Sequence, residues 1–185
     1  LYPLAHDADQ NEIFPAELWQ HIADIGLNYY ALPEVLGGVA AEKNIISNIL
    51  IAERLAKGDF SLTAGLLSTF SVINAFMQWG SERSQASYLP SFANDTDIRA
   101  TFAVQEVSPA FNPFKLKTKA TSLNGQYIIN GEKTLVVLGE SADILLVSAE
   151  LNGHPDVFIV KRNDSITYKK SPAMGLKATE SVTLK

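Results

Sequence analysis

The chain has 185 residues, 46% hydrophobic and 19% charged, which describes a globular protein with a real core and excludes wholesale disorder. A formal net charge of −5, with 15 Lys and Arg that form no dense cluster, argues against a nucleic-acid or anionic-membrane surface. The absence of cysteine excludes disulfides, thiol catalysis and thiolate metal sites, and suits a cytoplasmic protein.

The chain opens Leu-Tyr-Pro, without an initiator Met and without the charged-then-apolar profile of a leader. The first clear helical period covers 15–25. Leu18, Ile22 and Ile25 recur at helical spacing, Pro15 suits the first position and Gly26 the C-terminal cap. Residues 32–38 read as a loop, because Pro33 disfavours helix at Leu32 and Gly37-Gly38 permits a tight bend. A second amphipathic helix is expected over 42–57. Ile45, Ile49, Ala52 and Ala56 form its stripe, Ile46, Leu50 and Leu55 widen it, and Gly58 ends it.

Residues 60–80 carry no charge and are long enough to raise the question of a membrane span. Polar side chains scattered all round the segment and flanks without basic bias favour a central buried helix instead. Residues 81–92 predict a fourth helix, with Ser81 as N-cap and Pro90 near its end. The polar tract 93–97 then marks a boundary, giving a helical domain over 1–96 and a β domain over 97–185. Four helices followed by antiparallel strands make the fold class α+β.

In the second half, 101–105 is β-prone and runs into an irregular loop with two prolines. Asn124-Gly125 and Asn130-Gly131 bracket a strand at 126–129, and each is a hairpin signal. Further strands are expected at 134–138, 144–149, 157–161 and 166–169. The alternating run 182–185 reads as a strand cut off part-way, as expected of a portion of a longer protein. Its ladder groups are then expected to lie unpaired at a sheet edge, inviting aggregation. No G-x-G-x-x-G or Walker pattern occurs, and His6, His21 and His154 stand apart from spaced acids, so neither nucleotide-loop nor metal chemistry is indicated.

Several short motifs resemble, in order and spacing, those of the acyl-CoA dehydrogenases, flavoenzymes that oxidise acyl-CoA thioesters. In the β half these are Phe102-Ala-Val-Gln-Glu106, Asn130-Gly131-Glu132-Lys133 and Ala142-Asp143. In the helical half they are Pro33-Glu34 with Gly37-Gly38, Glu53-Arg-Leu-Ala56, and Trp79-Gly-Ser-Glu82 followed by Tyr88-Leu-Pro90. Met174-Gly-Leu176 completes the series. The resemblance implies the family's helical domain and its barrel-like middle domain. It also implies FAD as cofactor and α,β-oxidation of an acyl-CoA in fatty-acid metabolism. A homo-oligomer (dimer or tetramer) and an electron-transfer flavoprotein partner follow from it too. The catalytic base sits in the family's C-terminal domain, which has no counterpart here, so no catalytic residue is assigned. Glu34, Glu53 and Glu106 read as exposed or structural carboxylates.

Carried over by position, the flavin contacts fall on Phe102, Val104, Gln105, Leu135 and Val137. Contacts to the acyl thioester fall on Ser68, Ser71, Ala110 and Phe111. At these positions the family's Thr has become Gln105, its Trp Leu135, its second Thr Val137, and its Gly-Ser Ala110-Phe111. Each lost hydroxyl bond costs on the order of 1 kcal/mol. Two further readings follow: a monooxygenase of the same fold that uses reduced flavin with oxygen, and a flavin-free homologue that binds an acyl thioester or serves as a partner subunit. Phe111 either narrows the cleft entrance or packs as core.

Overall fold

The computed structural model describes residues 1–39, 45–94 and 97–185. Five α-helices precede eight strands among them. The helices are α1 (Tyr2–Asn11), α2 (Glu17–Asp24), α3 (Ile45–Gly58), α4 (Phe60–Trp79) and α5 (Glu82–Asn94). The strands are β1 (Ala100–Ala103), β2 (Lys119–Leu123), β3 (Gln126–Asn130), β4 (Lys133–Val136), β5 (Ile144–Leu151), β6 (His154–Lys161), β7 (Tyr168–Lys170) and β8 (Val182–Leu184). The α+β order is as expected. Helix α1 was not legible, because it buries only Ala8 and so leaves no apolar stripe to read.

Helix α4 organises the molecule. The Asp59 carboxylate caps it by accepting the Leu62 amide at 2.8 Å. Ten of its residues are buried, so a helix apolar enough to span a membrane serves here as the core helix. At its N-terminal end Leu62 and Leu66 pack with Phe14, Leu18, Trp19 and Ile22. At its other end Val72, Ile73 and Phe76 pack with Leu89, Phe92 and the sheet residues Ala100, Ile144 and Leu146. The stripe expected on α3 does not become core: none of its residues is buried, and Ile45, Ile46, Ile49 and Leu50 are exposed. The first residues expected in that helix, 42–44, and part of the tract 93–97 lie outside the described residues. Helix α5 starts as expected, with Ser81 Oγ accepting the Ser84 amide at 3.2 Å.

The expected all-antiparallel sheet is instead mixed. Strand β1 runs parallel to β5, from Ala100↔Ile144 to Ala103↔Val147, while β2–β3 and β5–β6 are antiparallel. The long excursion between β1 and β5 lets the chain re-enter in the same direction, which parallel pairing requires. A second sheet has the order β4-β8-β7, and the two sheets do not close into a barrel among the described residues. Asn124 and Gly125 both have positive φ and form the expected two-residue hairpin turn. Asn130-Gly131 is no hairpin: β3 pairs with β2 and β4 with β8. Glycine is required at 131 for space, since a Cβ there would lie 2.4 Å from the Thr118 hydroxyl oxygen. The expected unpaired edge at 182–185 is also corrected. Strand β8 lies between β4 and β7, because Val182 and Leu184 are drawn into a core with Ala103, Val136 and Leu145.

Hydroxyl groups on α4 fix the helical half against the strands. Thr69 Oγ1 donates to the Ala100 carbonyl at 3.2 Å and accepts the Ala100 amide at 3.1 Å, and both groups are buried. One turn of bonding thus sets the distance between α4 and β1. On the far side the Glu180 carboxylate accepts the Phe14 amide at 3.0 Å and the Ser141 hydroxyl at 2.7 Å.

Candidate functional site

Where α4 faces β1 and β4, an open cleft of about 300 Å³ lies between them. Ala64, Leu67, Ser68 and Ser71 line it from the helix, and Thr101, Phe102, Leu135 and Val137 from the strands. The helical contributors recur at i, i+3, i+4 and i+7, so they form one stripe of α4. Among the described residues no charged side chain lines the cleft, and Ser68 Oγ is occupied by a 2.8 Å bond to Thr101 Oγ1. The walls are therefore apolar, with one free serine at the rim.

Leu135 reaches this cleft through a bulge. Between the pairs Lys133↔Leu184 and Val136↔Val182, β4 carries one residue more than β8. The extra residue bends the strand, and Leu135 takes φ 54 with its side chain 57% exposed. A left-handed leucine costs on the order of 1–3 kcal/mol. That strain is held in place by Val136, which is buried in the core beneath.

Beneath the strands runs a buried polar cluster. Lys133 Nζ donates to Glu106 Oε1 at 3.0 Å, to Ser148 Oγ at 3.0 Å and to the Val104 carbonyl at 3.2 Å, which uses all three ammonium protons. The Glu106 carboxylate also accepts the amides of Lys117 at 2.7 Å and Thr118 at 2.8 Å. Burial alone pushes the Glu106 carboxyl upward. The two amides, the adjacent Thr118 hydroxyl and Lys133 outweigh it and bring the pKa to about 2. Burial lowers the Lys133 pKa, against the opposing pull of Glu106. The cluster ties the exit of β1 to β2, β4 and β5, and so sets the strand ends that border the cleft.

Of the residues expected to form the site, Ser68, Ser71, Phe102, Leu135 and Val137 come together in the cleft. Val104, Gln105, Ala110 and Phe111 do not line it. The Val104 carbonyl is taken up by Lys133 and Ser148, and Gln105 is exposed with its carbonyl accepting the Thr134 amide at 2.8 Å. Ala110 is exposed in a turn. Phe111 is half-buried but packs against none of the hydrophobic cores. Ala64, Leu67 and Thr101 were not anticipated. The first two follow from Ser68 and Ser71 once the helical period is applied, whereas nothing in the sequence marks Thr101. Glu106 is structural, as expected, while Glu34 and Glu53 are exposed.

Comparison with known proteins identifies the family and the fold. A family model described as "Acyl-CoA dehydrogenase, N-terminal domain" matches residues 1–96. An acyl-CoA dehydrogenase of Bacillus subtilis is 28% identical over 192 residues, covering 98% of this chain and 49% of the relative. The solved butyryl-CoA dehydrogenase of Megasphaera elsdenii superposes with a TM-score of 0.87 at 26% identity, over 100% of this chain and 50% of that one. A glutaryl-CoA dehydrogenase from Mycobacterium smegmatis, solved in complex with FADH2, shares the fold with a TM-score of 0.87 at 24% identity, over 100% of this chain and 47% of that one. The chain spans between about a third and a half of the length of the first curated relatives it matches. It belongs to the acyl-CoA dehydrogenase family.

Proposed function

We propose that the chain forms the helical (1–96) and middle (97–185) domains of a cytoplasmic, homo-oligomeric flavoprotein that oxidises an acyl-CoA thioester between its α and β carbons. The catalytic base belongs to a further domain, and electrons leave to an electron-transfer flavoprotein. The observation that carries this reading is the cleft into which Phe102, Leu135, Val137, Ser68 and Ser71 converge. Its uncharged walls fit the flat apolar faces of a flavin ring. Leu135 and Val137 supply one wall, and the exposed Gln105 amide at the end of β1 offers donors to a polar ring edge. FAD, when bound, supplies the acceptor for the β-hydride. The tasks of this chain are to pack the cofactor, to align the thioester along α4 and to keep water from the cleft. Ala110 and Phe111, in the loop that follows β1, are proposed to lie outside the cleft on the thioester's path, and Val104 to act on the flavin only through the strand end that it helps to fix.

A second reading, the flavin-free acyl-thioester binder, is favoured by Leu135 and Val137, which offer no side-chain donor. The experiment is purification of the full-length protein with FAD, followed by anaerobic addition of a saturated acyl-CoA. A yellow protein whose flavin absorbance bleaches is the expected result. A colourless protein that binds acyl-CoA but ignores FAD supports the second reading and removes the first.

A further inference from the structure

A second apolar groove, of about 440 Å³, lies beyond the cleft at the C-terminal end of α4. Ala75 and Trp79 line it from the helix, and Leu146, Val157 and Ile159 from the sheet. Ala75 and Trp79 continue the same helical stripe that Ala64, Ser68 and Ser71 begin, so both grooves lie end to end along one face of α4. From Ala64 to Trp79 that face measures roughly 22 Å.

Phe102 borders both. It opens a cross-strand row, Phe102↔Leu146↔Ile159, that forms the floor of the rear groove. Leu146 is held in the core of α4 and α5, with Phe102 and Ile159 packed against it. Among the described residues, the one side chain shared by the two spaces thus stands where one ends and the other begins.

We propose that Phe102 is the partition that sets the length limit of the acyl chain, ending the α4 side of the front cleft, along which the tail lies beside the flavin, and withholding a rear groove that would extend it. This rests on the reading of the cleft as an acyl-thioester site. Removing the ring joins two apolar spaces into one trough suited to a long straight chain. An added segment of about two buried methylenes then raises affinity about ten-fold.

The molecule carries its own reporter. Trp79, 76% exposed, lines the rear groove, whereas Trp19 is buried in the opposite core, and these are its two tryptophans. The protein and its Phe102→Ala variant are titrated with non-reactive S-alkyl-CoA thioethers from butyl to hexadecyl, and with the free fatty acids of the same lengths. In the parent, affinity stops rising at short lengths and Trp79 emission stays unchanged. In Phe102→Ala, the hexadecyl probe gains at least about ten-fold and shifts Trp79 emission to the blue. Adding Val157→Trp, which fills the rear groove from an exposed strand position, returns the parent profile. Phe102→Leu gives the same test with an apolar side chain kept in the row, so an unfolded Ala variant does not end the matter. An unchanged length profile in a folded Phe102 variant overturns the partition, as does a parent in which the hexadecyl probe already shifts Trp79. Fatty acids that show the break and its relief, when no thioether binds, keep the partition and refute the thioester reading. Failure of every probe to bind refutes both.

Discussion

Replacing Lys133 by Met is expected to destabilise the protein by about 3–5 kcal/mol, the cost of leaving one charge of a buried pair uncompensated. Lys133 and Glu106 are 3% and 4% exposed, so water cannot replace a missing partner. The loss should also be felt beyond the pair, because Lys133 holds the Val104 carbonyl and Glu106 holds the amides of Lys117 and Thr118. Glu106→Gln is expected to cost a similar amount by stranding the ammonium. The double variant Glu106→Gln with Lys133→Met removes both charges and should be closer to the parent than the sum of the two single losses. Urea unfolding of the four proteins measures this, and additive losses would mean that the pair is not coupled.

The same pair predicts an acid limit. The Glu106 carboxyl is held at about 2 in the folded protein, against 4.5 for an ordinary glutamate. Since the folded pKa is the lower one, its stabilisation is complete above about pH 4.5 and drains away as pH falls towards 2. Glu106→Gln should flatten that limb of the stability–pH curve.

The second large effect is expected at the contact between Phe14 and Gly65. Phe14 is 2% exposed, and its ring fills the notch that Gly65 leaves in α4. A Cβ at 65 would lie 2.3 Å from that ring. Phe14→Ala should therefore cost about 3–5 kcal/mol, as for a fully buried phenyl group. Gly65→Ala gains up to about 1 kcal/mol of helix propensity but forces the ring to move, which costs about 1–3 kcal/mol. Its net effect should be a loss. That loss should shrink in a Phe14→Leu background, where the ring is gone and the notch has room. Equal losses in both backgrounds would show that the notch is not what selects glycine.

How much was legible follows from what each residue has to satisfy. Helix α4 was readable because a long uncharged run must find cover in the core, and the Asn124-Gly125 turn because two positive φ values select those residues. The mixed sheet was not, since β5 takes β1 on one edge and β6 on the other, and buried strands look alike in either direction. Asn130-Gly131 carried a hairpin signal for a different reason, close packing against Thr118. The cleft was half legible. Ser68 and Ser71 share one wall of the cleft because the helical period fixes their face. Gln105, Ala110 and Phe111 sit where β1 has ended, and no periodicity tells where such a loop points. The bulge that aims Leu135 is likewise invisible, because leucine is a poor occupant of a left-handed position.

That strained leucine offers the most direct test of the claim that this cleft holds the flavin ring. Leu135→Gly removes a cleft wall and relieves the φ of 54, so the fold should be as stable as the parent or more so. FAD is titrated into the full-length parent and variant, following flavin fluorescence, with thermal unfolding alongside. The expected result is binding in the parent and an affinity about ten-fold lower in Leu135→Gly, from the loss of one leucine side chain against the ring, with no fall in Tm. Equal affinity in the two proteins, or no binding by the parent, would contradict the account.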